Sequence, residues 1–86
     1  MPTISMFRGI KIAMYYNDHM PPHFHATYGG EEAYISIKEL EVIEGSIPGK
    51  QLKMVLGWAA IRQYQLMETW ELAVRNQDLF QIEPLK

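Results

Sequence analysis

The apolar positions of this chain follow two different periods. As far as about residue 38, β-branched and aromatic residues occur in short runs, and from Pro48 onward apolar residues recur every three or four positions. Thr3 to Phe7 and Ile10 to Tyr16 predict two strands joined at Arg8-Gly9, the length of a tight hairpin turn. In the second run Ile10, Ile12, Met14 and Tyr16 alternate with Lys11, Ala13 and Tyr15. Phe24 to Tyr28 and Glu31 to Lys38 flank Gly29-Gly30, a pair that takes positive φ without steric penalty. Such a turn sets the register: Tyr28 opposes Glu31, Ala26 opposes Ala33, His25 opposes Tyr34, Phe24 opposes Ile35 and His23 opposes Ser36. Side chains alternate faces along a strand, so Phe24, Ala26, Ala33, Ile35 and Ile37 make a core face. His23, His25, Thr27, Glu32, Tyr34, Ser36 and Lys38 make a polar face, away from the main core.

In the second half Leu52, Val55, Leu56, Ala59, Leu66, Trp70 and Ala73 carry the helical period, with Lys53, Arg62, Glu68 and Arg75 between them. Pro48 suits a first helical position, and Gln63 interrupts the stripe where an apolar residue is due. The pattern predicts two helices, at about 48–64 and 66–75, rather than one long one. Leu79 to Leu85 is expected as an edge strand, where Pro84 is tolerable. The expected architecture is α+β: a small antiparallel sheet of four to five strands with two helices packed on one face, forming one domain over residues 1–86.

Composition narrows the function classes. A chain of 86 residues that is 48% hydrophobic and 21% charged is not an intrinsically disordered one. Its formal charge of −2 gives no whole-chain attraction to nucleic acid or anionic membrane, so a nucleic-acid partner stays open but is not indicated by charge. Cysteine is absent, which removes thiol nucleophiles, iron–sulfur clusters and cysteine zinc ribbons. The longest apolar stretch, Met54 to Ile61, is far below the ~18–20 residues that span a bilayer, so no membrane partner is expected. The first residues show no charged segment followed by an apolar one, so a signal peptide is not expected and a cytoplasmic location is.

All three histidines fall between positions 19 and 25, in the run Asn17-Asp18-His19-Met20-Pro21-Pro22-His23-Phe24-His25. The two prolines restrict the backbone between His19 and His23. His23 and His25, two apart on a strand, project to one side, where two imidazoles can reach one ion. His19 supplies a third nitrogen and Asp18 an oxygen, either as a three-histidine site with an open position or as a closed tetrahedron. The donors suit zinc or another divalent metal. Two other readings stand beside this one. The rings can serve structure, stacking on Tyr34 or pairing with Asp18. They can also act as metal-free general acid and base, with Lys11, Arg8 or Arg62 stabilising phosphate charge. Tyr34, Ser36 and Glu32 are candidate contacts on the polar face.

Elsewhere the chain carries no catalytic pattern. Gly29-Gly30 lacks the Lys-Ser/Thr of a phosphate loop, Ser36 and Ser46 lack a nucleophile elbow, and Glu39, Glu41 and Glu44 read as a solvated rim. Trp58 falls off the core stripe. With Met54 and Ile61 at helical spacing, it forms either a face for a partner chain or a second buried face.

The run Asn17-Asp18-His19-x-Pro-Pro-His23-Phe24-His25, with Pro2 to Phe7 and Gly9-Ile10 before it and Gly45-x-Ile47-Pro48 and Trp70-Glu71 after it, resembles the small prokaryotic family called domain of unknown function 4160. The resemblance covers almost the whole chain. It implies a cytoplasmic prokaryotic protein that works with a protein partner or as a homo-oligomer, as one half of a toxin–antitoxin-like pair, and it implies no reaction. The chain departs from the commoner pattern at Gly49 and Gly57, which weaken the first helix. Two functions are therefore expected: a binding or regulatory module, or a metal-dependent hydrolase or nuclease using His19, His23 and His25.

Overall fold

Glycine turns and alternating strands organise the first half of the chain. A computed structural model describes residues 2–86. Strand β1 (Thr3–Phe7) pairs antiparallel with β2 (Ile10–Ala13) through a turn in which Arg8 and Gly9 have φ of 52° and 77°. Strand β3 (His23–Tyr28) pairs with β4 (Glu31–Ser36) through Gly29 and Gly30, at φ of 57° and 83°. The register is the one the turn predicts, pair for pair from His23 opposite Ser36 to Tyr28 opposite Glu31. A fifth strand, β5 (Val42–Gly45), completes a sheet in the order β1-β2-β3-β4-β5, all antiparallel.

Two sequence expectations differ here from the structure. The fifth strand is Val42–Gly45, in the acidic stretch expected as a solvated rim, and not Leu79 to Leu85. Its four residues are exposed, so it is both strand and rim. Gly45 ends it at φ 77°, and a Cβ there would run into the Glu32 carbonyl. The 79–85 segment is irregular and lies against the open edge of β1, held by Ile82 N–H to the Ile4 carbonyl (2.7 Å) and by Gln81 Nε2 to the Thr3 carbonyl (2.6 Å). Pro84 has no N–H to extend such a ladder.

The helical half forms α1 (Gly49–Ile61) and α2 (Gln63–Val74), interrupted at Arg62 rather than two to three residues later. Gln63, the polar residue in the apolar stripe, donates Nε2 to the carbonyls of Ile37 (2.7 Å) and Lys38 (3.2 Å), satisfying the chain as it leaves β4. Helix α1 continues through Gly57, which costs it helix propensity without breaking it. Both helices contribute to one apolar core. Val55, Trp58 and Ala59 from α1 and Leu66, Trp70 and Ala73 from α2 are buried with the strand residues Phe24, Ala26, Ala33 and Ile35.

Trp58 belongs to this core and not to a partner face. Its ring packs against Phe7 (centroids 5.3 Å apart) and Phe24 (6.1 Å), and its Nε1–H donates to the Glu83 carbonyl at 2.7 Å. The C-terminal segment supplies the lid that periodicity within the helix could not show. Met54 is partly buried and Ile61 is 71% exposed, so the three do not form one surface. No described helix is long and apolar enough to cross a membrane.

Candidate metal centre

The histidine face of the hairpin is polar in composition, yet His23 is only 1% exposed and His25 5%. The fold buries them by laying the 14–22 loop across that face. Asn17 ties the loop to the end of α2, its N–H reaching the Ala73 carbonyl (3.4 Å) and its Nδ2 the Asn76 Oδ1 (3.3 Å). The loop re-enters the sheet at the cis Met20–Pro21 bond, and the Ile37 N–H donates to the Pro22 carbonyl (3.1 Å).

Three donor side chains converge at this place. Asp18 Oδ2 lies 3.0 Å from His23 Nε2 and 3.2 Å from His25 Nε2. One ligand atom from each of Asp18, His23 and His25 falls within 4.8 Å of the others. Each ring is oriented from behind. His23 Nδ1–H donates to the Pro21 carbonyl (2.8 Å), and His25 Nδ1–H donates to Glu32 Oε2 (3.2 Å).

A carbonyl oxygen only accepts, so Nδ1 of His23 must carry the proton, and in the neutral ring Nε2 is then a bare lone pair. That lone pair is buried 3.0 Å from a carboxylate oxygen, without a hydrogen-bond partner of acceptable geometry among the described residues. The oxygen is near but off the ring's N–H axis. His25 has a carboxylate at both nitrogens. The four nitrogens of the two imidazoles face three acceptor oxygens, Asp18 Oδ2 being shared, an arrangement that suits a cation between the rings and Asp18. Ring nitrogens backed by a carbonyl and a carboxylate are also how metal-ligating histidines are held.

The aromatic surroundings close the pocket. Tyr15 meets His25 edge-on and Tyr34 is tilted against it, both at 4.3 Å between centroids. Tyr34 also stacks on His23 at 5.8 Å, and Trp70 of α2 reaches that ring at 5.3 Å. His19 is placed differently. Its side chain is 77% exposed and its Nδ1 faces the Met20 carbonyl at 3.3 Å. Its ring stacks over His23 at 5.4 Å, and its Nε2 is 3.7 Å from Asp18 Oδ1. It is beside the centre and outside the converging trio. Ser36 is buried directly opposite His23 at the open end of the hairpin, where its Oγ accepts from the Glu39 N–H (3.1 Å) and so caps the turn toward β5.

Asp18 responds to this setting. Burial pushes its carboxyl up, but the His19 backbone N–H, the hydrogen bond with His25 and the nearby rings of His23 and His19 together hold it below its ordinary value. Tyr34 is pushed up mainly by the Glu32 carboxylate, then by burial and by Glu44 and Asp18. Tyr15 is pushed up mainly by burial, with Glu32, Tyr34 and Asp18 adding to it.

Tyr15 and Trp70 were not singled out from the sequence as parts of the site. Tyr15 was within reach, because Ala13 pairs with His25 and a residue two further on lies on the same face. Trp70 was not, since its contact with His23 depends on how α2 lies across the sheet end.

A family model described as Domain of unknown function (DUF4160) matches residues 9–71. The chain belongs to this family. The matched span holds all three converging donors, Glu32 and both helices almost complete, which places the centre inside the shared part of the domain of unknown function 4160 fold. No curated protein and no solved structure matches the chain.

Proposed function

We propose that this protein is a divalent-metal-binding module in which Asp18 Oδ2, His23 Nε2 and His25 Nε2 hold the ion. The observation that carries the reading is the set of buried ring nitrogens aimed at acceptor oxygens with Nδ1 already committed. Bonds of about 2.0–2.1 Å at tetrahedral angles put neighbouring donors about 3.3 Å apart, close to the 3.0 and 3.2 Å between Asp18 and the two rings. Two imidazoles and one carboxylate suit zinc or another borderline divalent ion. The exposed His19 is the residue nearest to supply a fourth donor.

A closed centre favours a binding or regulatory role over hydrolysis, and the family resemblance supports a protein partner, as in a toxin–antitoxin-like pair acting in the cytoplasm. Three protein donors with His19 turned away would instead leave a position for water, as a metal-dependent hydrolase or nuclease needs. Tag-free protein stripped with chelator and titrated with Zn²⁺ in a calorimeter tests the centre itself. One ion per chain is expected, with the binding lost in Asp18→Ala and His25→Ala. Substoichiometric binding, or binding that both variants retain, overturns the proposal. Zn²⁺-dependent cleavage of bis(p-nitrophenyl) phosphate that is retained in His19→Ala assigns the hydrolytic reading.

A further inference from the structure

Helix α2 has apolar residues beyond those its core face uses. Leu66, Trp70 and Ala73 are buried, whereas Met67 is partly buried and Val74 is 52% exposed. Met67, Trp70 and Val74 therefore run as a stripe along about 10 Å of helix. Across from them stands Met20, 69% exposed on the loop between Asp18 and His23. Together they line a groove of about 360 Å³ with Trp70 on its floor. Exposed apolar side chains are common on this chain, but Met20 and Val74 line one groove with Met67 and Trp70 and so make a continuous apolar surface fitted for contact. Methionines on both walls can repack around varied side chains.

Charge selects the occupant. Lys38 and Arg75 stand on the rim, both exposed, and neither forms an ion pair among the described residues. Glu71 is the one acidic residue of the lining, so the rim carries an excess of one positive charge on a chain whose net charge is −2. This excess runs against the rest of the molecule. The volume suits one or two bulky side chains, and the stripe along α2 matches anchors three or four residues apart on a second helix.

We infer that this groove binds a partner protein through an amphipathic acidic segment, with apolar anchors entering between Met20 and Val74 and carboxylates meeting Lys38 and Arg75. The groove is distinct from the metal centre, although Trp70 touches His23 and the Met20 loop joins two of the proposed ligands. Its occupant is recognised without any metal.

Selection from a displayed random peptide library against the folded chain tests this. The expected winners carry two apolar residues three or four apart beside Asp or Glu. Their affinity, read by fluorescence polarisation, falls about tenfold or more in Val74→Glu and in the double variant Lys38→Glu, Arg75→Glu. These positions are exposed, and circular dichroism of each variant confirms the fold. The parent chain in the presence of chelator is expected to bind the same peptides unchanged, so failure of the metal reading leaves this result intact. Recovery of no peptide family, of peptides without acidic residues, or of peptides whose binding survives Val74→Glu overturns the proposal.

Discussion

The two faces of the central hairpin both bury residues, one along most of its length and the other only around His23, His25 and Ser36, and they do so by different forces. On one, Phe24, Ala26, Ala33 and Ile35 are fully hidden under α1 and α2, and removal of apolar surface from water is sufficient reason. On the other, His23 and His25 are hidden by the 14–22 loop and by the rings of Tyr15, Tyr34 and Trp70, a cover that leaves polar nitrogens to be matched. There the burial of polar rings is tolerated because Pro21, Glu32 and Asp18 face their nitrogens. The first face supplies stability and tolerates any filling of the right shape. The second concentrates charge, costs desolvation and holds the groups that can do chemistry.

The comparison breaks most readily at Phe24. Phe24→Ala removes a fully buried ring that packs on Trp58 and should cost about 3–5 kcal/mol in urea unfolding. A smaller loss is expected on the other face. Asp18→Asn keeps the shape but removes the anion between the rings, and should cost about 1–3 kcal/mol in the metal-free protein. A cost at Asp18 equal to that at Phe24 would mean that the histidine face is the structural one. The same variant should lose any rise in melting temperature that Zn²⁺ gives the parent chain.

The smallest effect sharpens the electrostatics. Glu32 raises Tyr34 most, so Glu32→Gln should bring that phenol back toward its ordinary value, read by ultraviolet titration. A phenol whose folded value is raised contributes stability that is present below about pH 10 and is lost as pH rises through the folded value. An unchanged Tyr34 titration in Glu32→Gln would show that the carboxylate is not close enough to the ring to matter.

Much of the sheet was legible in the chain. The Gly29-Gly30 turn dictates a register, and through a period of two the register assigns every side chain of the hairpin to a face. That placed His23 and His25 side by side with Tyr34 and Glu32 as neighbours. The exposure of the face was not legible, because it depends on a loop whose anchors, Asn17 with Ala73 and Asn76, are distant in sequence. His19 and Asp18 were equivalent as candidate ligands on spacing alone, yet the loop turns Asp18 inward and leaves His19 in solvent. The sequence left Trp58 open between a partner face and a second buried face for a related reason. Its burial comes from a C-terminal segment with no period of its own, docked by Ile82 and by the hydrogen bond to Glu83.

The sequence by itself determined the class of fold, the pairing of β3 with β4 and the gathering of histidines at a strand entrance. These follow from local rules: turn chemistry, alternation and helical period act over a few residues. Only the tertiary structure decided which donors converge, that Trp58 is core, and where apolar side chains remain in water. Those outcomes depend on irregular segments crossing regular ones. Irregular segments are placed by a few long-range hydrogen bonds and by packing, for which no local pattern in the chain is a guide.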